Sequence, residues 1–528
     1  MTGSGGPNRW AQVGSLLVAL FVGGYFTLRY AGLWSEQDTH VFVQIAERMR
    51  LAGRLAFEGS YPHGFGYPVW LLGVAEITGV PLGPLVQKYL PIVSALFLGA
   101  IGFAAYRAFT GSARVGALGV LVLLLVPEVV FTVSRGNHEK LTVALTLAAM
   151  FALFRSYREL ETRRRWPAFL GWVTTYYLVA FVLVAQNAFF GSSFILASTA
   201  ALGFVALLRL VARSTAARLA PVARRLVVVT AASWGFVALV LFYVYPTAGD
   251  TLRIMGTAAE RVSALVLSLT PEANPYVVTV TDWVDPVVYH VISSSRWILL
   301  FGSLAMWAVW TRRALKGDTG LPLHVLFMTA MYAAFAMQVA FAMVVDLTGL
   351  AAGTNLQVRL FTYFAVVAAP VFAMGIDTVL GHGRLASSRG VWRRWVLPVG
   401  FAVFGVLSLT KATLDPAVAS RWLFYRTPEI AAMRFWDERN QFELLWVGVE
   451  PRLRHAYTMH FPLGSTNDNA FSVQARDPSV ASALDAELVR ANAIAWGIPE
   501  SGIQLEHRLY DNGEATLHRR VARTPFQN

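Results

Sequence analysis

The sequence has no cysteine among its 528 residues and few charged residues, and each absence narrows the possibilities. Without cysteine the chain forms no disulfide, offers no thiolate nucleophile and holds no cysteine-ligated zinc. Charged residues make up 14% of the chain and hydrophobic residues 56%, which is typical of polytopic membrane proteins. Repeats at solenoid periods and low-complexity segments are also missing, so a repeat array is not expected.

Long apolar segments recur along the first 411 residues. A membrane-spanning helix needs about 20 mostly apolar residues. The eleven candidate spans lie near 10–28, 87–106, 113–131, 141–157, 167–185, 189–208, 226–245, 293–311, 322–345, 360–380 and 396–411. The first has no evident small-residue cleavage site, so we expect a retained span and not a signal peptide. These segments predict an α-helical polytopic protein of about eleven transmembrane helices, with residues 1–411 as its membrane domain.

Arginine and lysine are concentrated in alternate connections between these spans. The basic residues of these connections are Arg107, Arg114, Arg155, Arg158, Arg163, Arg164, Arg165, Arg209, Arg213, Arg218, Arg224, Arg225, Arg312, Arg313, Lys316, Arg384, Arg389, Arg393 and Arg394. Basic loops stay in the cytoplasm, so we predict a multi-pass plasma-membrane protein with a cytoplasmic N-terminus. The net charge of +13 then reflects contact with anionic lipid headgroups, and no nucleic-acid partner is expected.

The remaining connections, 29–86, 128–140, 246–292 and 346–359, are predicted to be external. An amphipathic stretch in 246–292 indicates a functional loop there, such as a lid.

The last part of the chain, 412–528, is less hydrophobic and predicts an extracytoplasmic α/β domain. A helix is expected at 427–440, where threonine, proline and glutamate form a helix start. A buried strand is expected at 443–449 and a second helix at 479–495. An Asp-Asn-Gly turn predicts a hairpin over 505–518.

Two acids follow the first span. Glu36 and Asp38 have the chemistry of a general base or of ligands for a divalent metal. The alternative is a solvated acidic loop, or Asp38 as the cap of the amphipathic helix predicted at 39–56. His63 lies in a Gly/Pro-broken turn, where a structural role is the simpler interpretation.

A second polar motif lies between the third and fourth spans. Asn137, His138 and Glu139 offer oxygen and imidazole ligands for Mg²⁺, Mn²⁺ or Zn²⁺, with Arg135 and Lys140 beside them. The alternative is a helix start, in which Asn137 caps the fourth span and Glu139 favours the positive helix end.

A third polar group precedes the tenth span. Arg359 is suited to bind a phosphate through paired N–H donors, with Asn355 and Gln357 nearby. The alternative is an arginine that snorkels to the membrane interface.

Four short segments carry a family resemblance: W-S-E-Q-D-T-H-V-F-V-Q-I-A-E-R (34–48), Y-P-H-G-F-G-Y-P (61–68), S-R-G-N-H-E-K (134–140) and N-L-Q-V-R-L (355–360). With this topology the chain resembles the GT-C superfamily of integral-membrane glycosyltransferases, of the dolichyl-phosphate-mannose mannosyltransferase or aminoarabinose transferase type. The resemblance implies transfer of a hexosyl or pentosyl group from a polyprenyl-phosphate donor in the membrane lipids. The acceptor would be a glycan, lipid or protein on the extracytoplasmic side, and displacement would invert the anomeric centre.

The resemblance also assigns roles to residues. Asp38 would be the base, with Glu36 beside it, and His138 and Glu139 would hold a Mg²⁺ or Mn²⁺ ion or orient the donor phosphate. The substrate-binding residues would be Arg359, Asn355, Gln357, His63, Arg135 and Lys140. The chain departs from the family in having Asn-His-Glu where a pair of aspartates is usual. It also has no WWD-type acceptor motif, which favours transfer of a single sugar over transfer of a whole glycan.

Two alternatives belong to other functional classes. A transporter or flippase of lipid-linked saccharides would have charged residues within spans, inverted repeats and broken helices. A non-catalytic scaffold that binds a partner through residues 412–528 would leave the clustered acids without a role.

Overall fold

The computed structural model gives the backbone of the membrane region and parts of the C-terminal region. The described residues are 9–30, 34–35, 37–54, 66–162, 166–211, 213–244, 248–268, 285–318, 321–349, 356–382, 391–419, 423–424, 427–439, 445–446, 470–471, 486–490, 505–513 and 515–520. The helices are α1 (Arg9–Tyr30), α2 (Gln37–Ala52), α3 (Gly66–Thr78), α4 (Leu82–Pro84), α5 (Leu90–Thr110), α6 (Ala113–Leu124), α7 (Pro127–Ser134), α8 (Glu139–Thr162), α9 (Trp166–Gln186), α10 (Ala188–Val211), α11 (Arg213–Leu239), α12 (Ala248–Ser268), α13 (Pro286–Ile292), α14 (Ser294–Leu315), α15 (Leu323–Leu347), α16 (Leu356–His382), α17 (Val391–Ala419) and α18 (Thr427–Arg439), with π-helical turns at Leu85–Tyr89 and Val240–Val244. The strands are β1 (Trp34–Ser35), β2 (Leu423–Phe424), β3 (Leu445–Trp446), β4 (Ala470–Phe471), β5 (Ala486–Arg490), β6 (Leu505–Asp511) and β7 (Ala515–Arg520).

The described helices account for the predicted membrane spans. Eight are long and apolar enough to cross a membrane, or ten when each of two bent helix pairs counts as one span. The shorter apolar segment Pro398–Thr413 of α17 occupies the eleventh predicted position. The protein is therefore an α-helical polytopic membrane protein, as predicted.

The third predicted span is broken in the middle. Helices α6 and α7 meet at 71°. Val126 has an extended backbone (ψ 129°) before Pro127, because the residue before a proline is disfavoured in the helical region. Helix α7 then packs against α1, α16 and α17 and leads the chain to residues 135–139.

The connection after the seventh predicted span ends earlier than expected. Helix α13 begins at Pro286, and the Asp285 carboxylate accepts the N–H groups of Val287 and Val288 at 2.7 and 3.2 Å. This is the usual N-cap arrangement, with proline in the first turn. A 41° bend then joins α13 to α14. The predicted amphipathic helix of this loop is present as α12.

The bundle has two chemically different ends. Helices α8, α10, α14 and α16 begin at one end, which we call the site end, and α1, α15 and α17 finish there. Basic residues of the alternate connections lie at the opposite end, for example Arg107 at the end of α5 and Arg312 at the end of α14. The alternation of basic and non-basic connections in the sequence therefore corresponds to two ends of the folded bundle.

The centre of the bundle is packed closely through glycine. A Cβ at Gly116 of α6 would lie 2.7 Å from the backbone nitrogen of Arg107 in α5. The buried Tyr106 hydroxyl donates to the carbonyl of Val366 in α16 at 2.8 Å, which satisfies it away from water. These contacts fix α5, α6 and α16 relative to one another and so fix the positions from which the site is built.

The C-terminal region contains a helix and a mixed sheet. The five strands have the order β4-β3-β5-β7-β6, with β3 parallel to β4 and β5, and β7 antiparallel to β5 and β6. The predicted hairpin is present: Asp511 Oδ1 accepts the N–H of Gly513, whose φ is 86°, and Asn512 Oδ1 accepts the N–H of Ala515. The predicted helix at 427–440 is present as α18.

The helix predicted at 479–495 is wrong for Ala486–Arg490, which form strand β5. This strand lies in the middle of the sheet and pairs on both sides, so tertiary pairing overrides the helical pattern of its side chains. The predicted strand at 443–449 is present at Leu445–Trp446, the described part of that segment.

A small antiparallel ladder joins the C-terminal region to the chain that follows α1. Trp34 pairs with Phe424, and Ser35 pairs with Leu423. Next to it, the hydroxyls of Tyr25 in α1 and Thr413 in α17 are 3.0 Å apart. The segment that leads into the first acidic motif is therefore anchored to the end of α17 and to β2.

Two glycines of α10 provide a matched test of the packing. At Gly191 a Cβ would lie 2.6 Å from the Cα of Val184, whereas at Gly203 it would meet no atom within 4 Å. We expect Gly191→Ala to destabilise the protein by about 1–3 kcal/mol through overpacking. Gly203→Ala should be neutral or stabilising by up to about 1 kcal/mol, because alanine is the better helix former. Thermal unfolding of the purified protein measures both, and equal unfolding temperatures would contradict the close α9–α10 contact.

Candidate functional site

The segment 135–139 is held to α2 and α3 by two hydrogen bonds at Gly136, which we call the Gly136 junction. The Gly136 N–H donates to Thr39 Oγ1 at 3.0 Å, and the Tyr67 hydroxyl donates to the Gly136 carbonyl at 2.8 Å. Thr39 and Tyr67 are both fully buried. A Cβ at Gly136 would lie 2.4 Å from Thr39 Oγ1 and 2.5 Å from Val86 Cγ1, so only glycine fits without rearrangement. The structure thus brings together the first two predicted motifs, which are about a hundred residues apart in sequence.

Asp38 immediately precedes Thr39 in the first turn of α2, so its backbone lies one residue from the Gly136 junction. The Asp38 side chain lies outside the described part of the structure, as do Glu36, His63 and Asn355. The roles assigned to these four residues from the sequence stay predictions.

His138 is buried among aromatic rings. Its ring lies 5.3 Å from that of Phe42, 6.3 Å from that of Tyr67 and 5.9 Å from that of Phe190, between centroids. Asn187 Oδ1 accepts the N–H of Phe190, which directs Asn187 Nδ2 to donate to His138 Nε2 at 2.7 Å. The imidazole Nε2 is then an acceptor, so the neutral tautomer carries its proton on Nδ1. His138 thereby links α2, α3 and α10.

Helix α8 begins with the cap that the sequence left as an alternative. Asn137 Oδ1 accepts the N–H of Glu139 at 3.1 Å. The buried Glu139 carboxylate forms an ion pair with Arg135 at 3.2 Å, and Lys140 beside it is also buried. Ionised groups at this depth are stable only when they are paired, and the Glu139–Arg135 pair satisfies that requirement.

These contacts bear on the predicted metal site. His138 uses Nε2 to accept from Asn187, and Glu139 uses Oε2 to bind Arg135. Within the described residues, no three His, Asp or Glu side chains converge on a common point. Glu139 Oε1 is buried and accepts no hydrogen bond within the described part of the chain, so the roles of His138 and Glu139 as metal ligands stay predictions.

The beginning of α16 lies against the same motif. The hydroxyls of Thr142 in α8 and Tyr363 in α16 share a hydrogen bond, and Phe190 stacks on Tyr363 at 4.7 Å. Arg359 precedes Tyr363 by four residues on one helix, so the two share a face. The third predicted motif thus lies beside the second.

Gln357 belongs to a neighbouring network that the sequence did not reveal. Its Oε1 accepts from Arg296 Nη2 at 3.1 Å, and Arg296 Nε lies 3.1 Å from the Glu128 carboxylate. The Arg296 guanidinium also covers the ring of Phe361 at 4.6 Å. Glu128 is 4% exposed, so the ion pair is within the bundle and ties α7, α14 and α16 together.

Asp346 is a second residue of this region that the sequence analysis did not identify. It is buried at the end of α15, and its two carboxylate oxygens accept the N–H groups of Leu356 and Gln357 at 2.8 and 2.9 Å. A sequence signal existed for Asp346 and Glu128, since each is an acid at the edge of a long apolar segment, where a charge needs a partner or a function. No such signal marks Thr39, Tyr67 or Asn187.

Comparison with known proteins gives the fold but no close relative. No protein-family model matches the chain, and no curated protein matches its sequence. Two structures of the oligosaccharyltransferase AglB from Archaeoglobus fulgidus match the chain, one in the apo form and one in complex with an inhibitory peptide and a dolichol-phosphate. Each is 11% identical in sequence and aligns over 92% of this chain and 70% of its own. The TM-scores are 0.57 and 0.56. The chain therefore shares its fold with AglB. ArnT from Cupriavidus metallidurans in the apo state matches over 97% of this chain and 98% of its own, at 14% identity and a TM-score of 0.41.

The Gly136 junction can be tested by removing one hydroxyl. Thr39→Val keeps the shape of the side chain but leaves the buried N–H of Gly136 without its acceptor, which typically costs about 1–3 kcal/mol. We expect a lower unfolding temperature than for the unmodified protein. Thr175→Val is the matched control, because the Thr175 hydroxyl only donates to the Gly171 carbonyl of its own exposed helix turn. Equal effects of the two changes would show that the junction contributes nothing specific.

Proposed function

We propose that the protein is a membrane glycosyltransferase that moves one sugar from a polyprenyl-phosphate donor to an acceptor. The observation that carries the proposal is the convergence of three elements at the site end of a GT-C fold. The first turn of α2, which contains Asp38, joins the 136–139 segment at Gly136. The start of α16, which contains Arg359, meets α8, the helix that follows this segment, through the hydrogen bond between Tyr363 and Thr142.

The charges at this end favour a phosphate ligand. Arg135 is paired with Glu139, and Arg296 is paired with Glu128. Arg359 is partly exposed and, among the described residues, has no carboxylate within ion-pair distance. A guanidinium with no carboxylate partner among the described residues is suited to bind the phosphate of a lipid-linked sugar. The dolichol-phosphate bound by AglB, which has the same fold, supports this donor class.

In the proposed reaction Asp38 removes the proton from the acceptor hydroxyl, and the oxygen forms a bond to the anomeric carbon. The bond from that carbon to the donor phosphate breaks, and polyprenyl phosphate leaves with its charge stabilised by Arg359. Direct displacement inverts the anomeric centre. The proposal keeps the other residues that the sequence suggested around Asp38, Arg359 and the two substrates: Glu36, Asn355, Gln357, His63, Lys140 and Arg135. No step of this scheme runs through a metal, and the metal-ligand roles of His138 and Glu139 stay predictions.

The C-terminal region belongs to the proposal as the acceptor-facing part. We assign residues 1–411 to the membrane domain and 412–528 to a domain on the extracytoplasmic side. The pairing of Trp34 with Phe424 supports this, because it connects the region to the chain just before the acidic motif.

The orientation has a direct test. Basic connections at the end opposite the site predict a cytoplasmic N-terminus and an external site. A reporter that is active only in the cytoplasm, fused after Thr413, should give no signal, whereas the same reporter fused after Arg313 should be active. A strong signal from the Thr413 fusion would reverse both the orientation and the side of the proposed reaction.

The catalytic proposal is tested by Asp38→Asn. Asparagine keeps the size and capping ability of aspartate but accepts no proton at neutral pH, so transfer should fall by a factor of roughly 10² to 10⁴. The assay follows transfer from a labelled polyprenyl-phosphate sugar in membrane fractions. Asp285→Asn is the control, because Asp285 is a helix cap in the structure. If Asp38 were only a cap, both variants would retain full activity.

Arg359→Ala should affect a different step. Its proposed contact is with the donor phosphate, so the KM for the donor should rise, in contrast to the loss of kcat expected for Asp38→Asn. Arg313→Ala, at an exposed arginine of the opposite end, is the matched control. Full use of the donor by the Arg359→Ala protein would remove Arg359 from the proposed site.

One observation favours the transporter alternative. The broken α6–α7 pair and the buried Glu128 beside the break are features that transporters also show. The two functions differ in their products. A glycosyltransferase releases polyprenyl phosphate, whereas a flippase moves the lipid-linked saccharide intact across the membrane of a proteoliposome.

A further inference from the structure

The first turn of α16 is held by groups from two other helices. The Asp346 carboxylate, at the end of α15, accepts the N–H groups of Leu356 and Gln357. We call these two hydrogen bonds the clamp. From α14, Arg296 donates to the side chain of Gln357. Arg359 is the fourth residue of α16, so it lies in the turn that these contacts fix.

The carboxylate also occupies the place where a helix normally attracts an anion. The first N–H groups of a helix have no partner within the helix and form its positive end, which favours negative ligands. At α16 two of these groups are satisfied by Asp346, which is 3% exposed. An incoming phosphate therefore does not find these two amides free, and the side chain of Arg359 is the charged donor that the first turn of α16 presents.

We infer that Asp346 is a positioning residue, which acts on the donor phosphate through Arg359. It fixes the turn that carries Arg359 and keeps the phosphate from binding at the amides of Leu356 and Gln357. This inference rests on the proposed function only for its ligand, because the structural part, a first turn of α16 that depends on Asp346, is independent of any reaction.

The kinetic test is a double-mutant cycle. Asp346→Asn keeps one acceptor oxygen and removes the other, so part of the clamp is lost. From the usual cost of losing a helix cap we expect the KM for the labelled polyprenyl-phosphate donor to rise about two- to thirty-fold. In the Arg359→Ala background Asp346→Asn should add little further change, because residues that act as one unit are not additive. An additive effect would mean that Asp346 acts on donor binding independently of Arg359 and would overturn the inference.

A second test needs no donor and uses the lack of cysteine in the chain. Val358→Cys places a single thiol in the first turn of α16, and its rate of labelling by a maleimide reports whether that turn is formed. Asp346→Asn should increase the labelling rate several-fold, and Asp346→Ala should increase it more. The control is Asp377→Asn, an aspartate at the opposite end of the same helix.

The two tests separate the possible failures. Unchanged labelling in the Asp346 variants would overturn the clamp itself. Increased labelling together with an absence of sugar transfer in the unmodified protein would uphold the clamp and overturn the proposed function. Increased labelling with an unchanged donor KM would show that Asp346 shapes α16 without acting on the donor, which contradicts its positioning role.

Discussion

The arrangement of the site depends on the Gly136 junction. The backbone of Gly136 has both its N–H and its carbonyl satisfied by side chains of α2 and α3, and the absence of a side chain allows that approach. Residues 137–139 are buried in the bundle away from solvent, and a buried polar backbone segment persists only when protein groups satisfy it. The same hydrogen bonds that make the irregular segment 135–138 stable therefore also fix the position of the α2 helix that carries Asp38.

The same constraint explains the two buried ion pairs at the site end. Glu139 with Arg135 and Glu128 with Arg296 neutralise each other within the bundle, where an isolated charge would be strongly unfavourable. Such pairs bring little net stability, but they fix the helices that carry them. The α6–α7 break contributes as well, because it places Glu128 where Arg296 of another helix can reach it.

The features predictable from sequence were those set by local chemistry. Apolar length identified the spans, and Asp-Asn-Gly identified the β6–β7 hairpin, because both signals lie within a short stretch of chain. The break at Val126 was also encoded locally, by Pro127, but the apolar character of both halves concealed it. Strand β5 and the contact between Asn187 and His138 depend on partners that are distant in sequence, and one sequence gives no direct sign of them.

The sequence could propose which residue types belong to the site, whereas their roles follow from their partners. Asn137 and His138 were candidate ligands by type, yet in the structure Asn137 caps α8 and His138 accepts from Asn187. Arg359 was ambiguous by type, since an arginine at the start of a span commonly snorkels to the interface. The surroundings of Arg359 favour phosphate binding over snorkelling. Asp346 accepts the first two N–H groups of α16, and the neighbouring Arg135 and Arg296 are paired with carboxylates. A guanidinium that has no carboxylate partner in the described part of the chain, on a turn fixed from two sides, has the properties that our proposal requires of a phosphate-binding residue.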